Sequence, residues 1–297
     1  MRVQSGSEGE VSEGTRVLQA GVESDLEAPP RARWRPSAFV RFSFVLHAVA
    51  LLLLVVQPHW WPWLLGLIAA NHGVIILSVP FPRSRLVGAN ITRLPPAAAA
   101  RDEIALTFDD GPDPVVTPKV LDLLESAGMR ASFFLIARNA GRHPELVREI
   151  LRRGHQVENH SNEHGITFSF YGYGRTAREV DAAQAALTAI AERRPRFFRA
   201  PAGFRNPFLD PVLQRRGLRY ASWTRRGFDA FERDPARVLK RLTRGLAGGD
   251  VLLLHDAGSA MSRAGNPVVL EVLPPLLEQM RSRGLQSVTL AAAFNES

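Results

Sequence analysis

A chain of 297 residues has room for one large α/β domain and an accessory segment. Its formal charge of +8 comes mainly from arginine, which favours partners bearing phosphate or acidic lipid over cationic ones. The absence of cysteine excludes disulfide scaffolds, thiol nucleophiles and thiolate zinc sites, so any metal must be held by histidine or carboxylate. Nucleic acid is not expected as a partner: there is no zinc knuckle, RNA-recognition signature or long basic run, and the arginines are scattered through apolar periodic segments.

Residues 1–36 open with a stretch rich in Gly, Ser and Glu that lacks the apolar surface to offset ordering entropy, so this tail is expected to be disordered. Residues 37–81 hold two apolar runs, AFVRFSFVLHAVALLLLVV and WLLGLIAANHGVIILSV, each about as long as a bilayer span. They predict a transmembrane hairpin, with Trp60, Trp61 and Trp63 at its turn as interfacial aromatics. Arg31, Arg33, Arg35 and Arg41 flank the first run, and Arg83, Arg85 and Arg93 follow the second, while the turn has neither Lys nor Arg. By the positive-inside rule both ends are then cytoplasmic, and so is everything after the hairpin.

Residues 82–100 read as a Pro/Ala-rich linker. From residue 101 to 297 short β-type runs alternate with amphipathic helical stretches. The strand candidates are EIALTF, ASFFLI, HQVEN, RFFRA, RYASW, VLLLH and QSVTL. Such alternation predicts an α/β domain with a parallel sheet, and this many repeats predict closure into a barrel.

Polar residues gather at the carboxyl ends of these strands, where an α/β barrel builds its active site. TFDDGP places Asp109 and Asp110 side by side at the first strand's end, where adjacent carboxylates repel unless a cation or proton holds them. HSNEH places His160 and His164 four residues apart, a spacing that on a helical turn puts both imidazoles on one face. Two neutral histidines and one carboxylate can make a metal triad with open positions. RAPAG begins with Arg199, which emerges from a buried strand and needs a carboxylate partner; LLLHD ends in His255, a candidate general acid, and Asp256. Taken singly, an ordinary Asp-Gly turn, a structural ion pair or a core histidine would explain each.

Together, TFDDG, HSxxH, RxPxG and LxLH resemble the polysaccharide deacetylase family, the NodB-homology or carbohydrate esterase family 4 domain, over residues 101–297. The resemblance implies a distorted (β/α) barrel. It also implies roles: Asp109 as the base that deprotonates the attacking water, Asp110, His160 and His164 as metal ligands, Arg199 as the group orienting the base, and His255 as the acid for the leaving amine. The implied cofactor is a divalent metal, expected to be zinc, with cobalt or another divalent ion as the alternative; a backbone N–H near Ala202 is implied for the oxyanion.

The stretch WTRRGFDA departs from the family pattern, in which an aspartate, then a second aspartate and an aromatic, follow the tryptophan. Arg226 stands at the first acidic position, Asp229 is left as the partner of His255, and Ala230 replaces the aromatic; Glu158 also stands where a small residue is common. Arginines at 225 and 226 suit an anionic group such as phosphate. The leading expectation is therefore an inner-membrane enzyme that deacylates an amino sugar carried on polyprenyl phosphate, as in lipid A or envelope glycan modification. The alternatives are an outward-facing peptidoglycan or exopolysaccharide deacetylase, and an inactive sugar-binding scaffold.

Overall fold

The computed structural model describes residues 33–295. Most of the predicted disordered tail lies outside them, but its last four residues are placed: the Trp34 indole donates to Asp210 Oδ2 (2.8 Å) and the Arg35 backbone N–H to Gln214 Oε1 (2.8 Å).

Two apolar helices follow, α1 (Ala38–Val56) and α2 (Trp61–Ser78), with Ser37 capping α1 through its side chain. The first has mean hydropathy 2.4, and the span 58–78 has 1.4; only 6% of either is buried, so most of their apolar surface is exposed. The polar residues that interrupt them turn towards each other. Asn71 Nδ2 donates to Ser43 Oγ (2.8 Å), and the His47 and His72 rings lie 5.2 Å apart, so the polar groups of two otherwise apolar helices find partners across the pair.

The rest is a distorted (β/α) barrel. Its helices are α3 (Pro96–Ala99), α4 (Val116–Ser126), α5 (Ala137–Arg142), α6 (Pro144–Arg152), α7 (Tyr173–Ala191), α8 (Leu209–Gln214), α9 (Pro235–Thr243), α10 (Val268–Ser282) and α11 (Leu290–Ala293). Its strands are β1 (Glu103–Asp109), β2 (Ala131–Leu135), β3 (Gln156–Asn159), β4 (Phe197–Phe198), β5 (Arg219–Tyr220), β6 (Arg225–Arg226), β7 (Val251–His255) and β8 (Gln286–Ser287). All pair in parallel in the order β5-β4-β3-β2-β1-β7-β6, with β8 added to the start of β1.

All seven strand candidates are present, although RFFRA, RYASW and QSVTL keep only two residues each in ladder geometry. β6 was not anticipated, because two adjacent arginines carry none of the apolar signal of a strand. α5 was missed for a similar reason: its six residues, ARNAGR, hold no apolar stripe.

Between β5 and β7 the sheet is joined by the segment that read as a linker. Ile91 bridges Ala221 in parallel, and Arg93 bridges Asp250 in antiparallel fashion. The Leu94 N–H donates to Gly249 O (2.8 Å), and Leu94 is buried in the barrel interior with Phe134, Trp223 and Leu253. This stretch is therefore part of the barrel wall rather than a free tether.

Strand periodicity sorts the barrel side chains. Leu106, Phe108, Leu252 and Leu254 face outwards into the helix-covered core, while Ala105, Val251 and Leu253 face inwards. The same alternation turns Thr107, Asp109 and His255 inwards, and the β1–β7 register sets Asp109 directly opposite His255.

Candidate active site

The carboxyl ends of β1, β3, β4 and β7, with the loop after β6, bring seven polar side chains to one end of the barrel. Asp109, nearly buried, receives a 2.6 Å hydrogen bond on Oδ1 from Arg199 Nη1. Arg199 has no exposed surface. Its remaining donors reach Thr107 Oγ1 (2.9 Å), Ala221 O (3.1 Å) and Ser222 O (2.9 Å), and the guanidinium lies 4.0 Å from the centre of the Phe134 ring. A charge taken fully out of water is tolerable only when paired and hydrogen-bonded in this way.

Asp110, His160 and His164 form the second group, their ligand atoms all within 4.8 Å of one another. Asp110 Oδ1 lies 3.3 Å from His160 Nε2 and 3.2 Å from His164 Nε2, yet it is buried and accepts no well-formed hydrogen bond. His160 Nδ1 donates to Arg199 O (2.9 Å), which leaves Nε2 as the lone-pair nitrogen facing Asp110. An orphaned carboxylate oxygen between two imidazole nitrogens, one of them oriented by a backbone carbonyl, fits a divalent cation of the borderline type. Burial pushes the Asp110 carboxyl up, but the neighbouring His160, His164 and His255 together outweigh this and hold it at about 2.

The histidine pair does not sit on a helical turn, as the spacing suggested. It occupies an irregular loop in which Ser161 (φ 66°) and His164 (φ 53°) are left-handed, and it is this backbone that brings the rings to 4.9 Å. Left-handed Asp110, Ala202 and Phe228 join them, so five of the eight non-glycine residues with positive φ among the described residues line this end of the barrel. Such conformations concentrate where function over-determines the backbone.

His255 and Asp229 form the third group. Asp229, fully buried, accepts the His255 backbone N–H on Oδ2 (2.8 Å) and Nδ1–H on Oδ1 (2.9 Å), so Nε2 is the free ring nitrogen. Burial alone would depress the imidazole, but Asp229 above all, then Asp109 and Asp110, raise it to about 9.

The two arginines of the departing stretch have different surroundings. Arg225 pairs with Asp250 and donates to the carbonyls of Arg244 and Gly245, so it is committed to the barrel wall. Among the described residues Arg226 has no ion-pair partner; its guanidinium lies 5.2 Å from the Trp223 ring and 4.8 Å from the Phe228 ring, within the field of Asp109, Asp229 and Asp110. Glu158 instead accepts the backbone N–H groups of Arg196 (2.8 Å) and Phe197 (2.6 Å), tying β3 to β4.

Sequence reading did not anticipate the braces of the Asp110 loop. Asn139 Nδ2 donates to Asp110 O (2.9 Å), and the Thr117 hydroxyl donates to Asp256 Oδ2 (2.6 Å) while accepting the Asp113 N–H (2.8 Å). Burial raises the Asp256 carboxyl to about 7. The only sequence signal was its place directly after His255.

The polysaccharide deacetylase profile matches residues 97–221. A chitooligosaccharide deacetylase from Sinorhizobium fredii is 32% identical over 171 residues, which cover 55% of this chain and 76% of that protein. This chain belongs to the polysaccharide deacetylase family. Among other relatives of the family, a peptidoglycan-N-acetylglucosamine deacetylase from Bacillus cereus is 29% identical over 196 residues, 63% of this chain and 86% of that protein. A family 4 carbohydrate esterase from Streptomyces lividans, solved with acetate, superposes with TM-score 0.56 at 29% identity, covering 62% of this chain and 91% of its own. A CE4 family pseudoenzyme from Bacillus anthracis has the same fold, with TM-score 0.62 at 18% identity over 70% of this chain and 69% of its own. The fold alone therefore does not guarantee turnover, and the polar groups at the strand ends carry the functional argument.

Proposed function

We propose that this polysaccharide deacetylase removes an N-acyl group from an amino sugar linked to polyprenyl phosphate, at the cytoplasmic face of the bacterial inner membrane. Amino-sugar deacetylation is the activity its family membership supports. The observation that carries the narrower reading is Arg226, a guanidinium without an ion-pair partner among the described residues where the family commonly has an acid, near the Trp223 and Phe228 rings and within the field of Asp109 and Asp229. A guanidinium so placed offers a phosphate a charge-assisted, bidentate contact. The apolar hairpin supplies a reason for the substrate to be lipid-borne.

Asp110, His160 and His164 are the residues that would hold a divalent ion, expected to be zinc with cobalt as the alternative; bound there, it supplies Lewis acidity to an acyl carbonyl and eases ionisation of water. Asp109 keeps its Oδ2 free, 3.9 Å from His160 Nε2, and takes the proton of the attacking water, while Arg199 fixes the carboxylate through Oδ1. The backbone N–H of Ala202, at the left-handed turn after β4, is assigned to the developing oxyanion. His255, held protonated by Asp229, delivers its Nε2 proton to the departing amine nitrogen.

The relatives named for peptidoglycan N-acetylglucosamine and for chitooligosaccharide support a second reading, deacetylation of an N-acetylglucosamine polymer not linked to lipid phosphate. Both are tested by incubating the zinc-loaded protein with polyprenyl-phosphate N-acetylhexosamine, and separately with a short N-acetylglucosamine oligomer, and following acetyl loss by mass spectrometry. Loss from the lipid-linked sugar alone is expected. Loss from the oligomer alone would replace this reading by the second one, and no loss from either would leave a sugar-binding scaffold.

A further inference from the structure

The mouth of the barrel is set apart from the rest of its surface by apolar side chains. Beyond the hairpin, every exposed large apolar residue among the described residues lies in a segment that follows the carboxyl end of a strand. Ile166 (96% exposed) and Phe170 (85%) follow β3; Phe204 and Phe208 follow β4; Phe228 and Phe231 (75%) follow β6. The segments at the opposite end, which run from helices into strands, present none. Exposed apolar residues scattered singly need no explanation, but confinement to one face does.

The hairpin is attached to this same face. Where the chain leaves α2, Pro82 abuts Gly203 of the RAPAG turn so closely that a Cβ at Gly203 would lie 2.9 Å from the Pro82 Cβ. Arg205, from the same loop, donates to Ser84 O (3.3 Å) and Gly88 O (3.3 Å), and Arg83 donates to Thr224 O (3.3 Å) beside β6. Where the chain enters α1, Trp34 is bonded to Asp210 at the start of α8. Both ends of the hairpin thus meet the loop and helix that follow β4, at the mouth. Exposed Arg33, Arg35, Arg83 and Arg85 surround these ends, where cations meet anionic headgroups.

We infer that the mouth of the barrel is a membrane-docking surface: the loops after β3, β4 and β6 insert their aromatic and aliphatic tips into the headgroup region of the bilayer that the hairpin spans. The occupant of this apolar face is lipid, because the face is continuous with two helices whose own surfaces require lipid. Interfacial burial of such side chains is shallow, about 5–10 Å into the boundary between headgroups and acyl chains. The site then opens onto the membrane plane, and a substrate reaches it at headgroup depth. This inference rests on the hairpin's spanning the bilayer, and it is independent of the reaction catalysed.

The cysteine-free chain allows one fluorophore per variant. The full-length protein is reconstituted in vesicles of neutral and anionic phospholipid as the single variants Phe170→Cys, Phe231→Cys, Val45→Cys in α1 and Ser282→Cys at the far end of the barrel. Each is labelled with a small environment-sensitive dye and quenched by lipids carrying a nitroxide at shallow or deep positions. The expected result is strong quenching at Phe170→Cys and Phe231→Cys by the shallow nitroxide, strong quenching at Val45→Cys by the deep one, and little at Ser282→Cys. Rim labels quenched no more than Ser282→Cys, with Val45→Cys still quenched, would overturn the docking surface and leave the hairpin standing. Val45→Cys unquenched would overturn both.

Discussion

Arg199 has no exposed surface, so it cannot touch a substrate and acts only through the atoms it binds, chiefly Asp109 Oδ1. Asp109 and Asp110 are neighbours in sequence but differ in surroundings, one bound to Arg199 and the other between two imidazoles, and in the roles proposed for them. Asp109→Asn removes the proposed base while leaving the Asp110, His160 and His164 cluster intact; about 1,000-fold loss of kcat with retained divalent metal is expected, read by steady-state kinetics beside metal analysis. His160→Ala should lose both metal and turnover. The acid role proposed for His255 requires it to be protonated, and its proton is held up to about pH 9, chiefly by Asp229 against burial. In Asp229→Asn the imidazole falls towards its ordinary value near 6.5, so the alkaline limb of the pH–rate profile should move to lower pH. An unchanged alkaline limb would show that His255 is not the acid. Arg226→Ala should reduce kcat/KM for the phosphate-linked sugar by about 10- to 100-fold, the worth of a charge-assisted hydrogen bond, and leave an uncharged oligomer nearly unaffected.

At the scale of elements, the loops rather than the strands hold what spacing could not show. The four-residue separation of His160 and His164 correctly suggested that the rings meet, but for the wrong local reason: two left-handed residues fold the loop, and no helix is involved. Periodicity sees helices and strands because their side chains repeat; an irregular loop has no period to read. The turn after β1 is similarly confined. A Cβ on Gly111 would lie 2.3 Å from Asp256 Oδ2, and Asp256 is held by Thr117. Gly111→Ala should therefore displace Asp110 and weaken metal retention, with metal content per folded chain as the readout, while circular dichroism remains that of a folded barrel. The two-residue β6 illustrates the converse limit. Its arginines look like a surface turn, yet Arg225 and Arg226 pair with Leu252 and Leu253 of β7, a placement only the neighbouring strand could impose.

Across the whole molecule, the barrel depends on residues that precede its first strand. A chain beginning at residue 97, where the family profile begins, lacks Ile91 and Leu94, their bridges to the sheet, and Asn90, whose side-chain carbonyl accepts from the Ser222 hydroxyl. Loss of one buried leucine and several hydrogen bonds should cost about 5 kcal/mol. Such a chain should melt well below one beginning at residue 82, as thermal unfolding would measure. By itself the sequence determined the alternation of strand and helix, the two apolar helices, and the identity of the polar groups at the strand ends, because these are encoded in local period and residue type. The resemblance to the family left Asp229 as the expected partner of His255, and the fold pairs the two through Nδ1 and the backbone N–H. Only tertiary structure decided that Arg225 is committed and Arg226 free, that a linker completes the wall, and that the hairpin attaches at the mouth. Each depends on which distant segments lie within a few ångströms of one another, and chain distance carries no record of that.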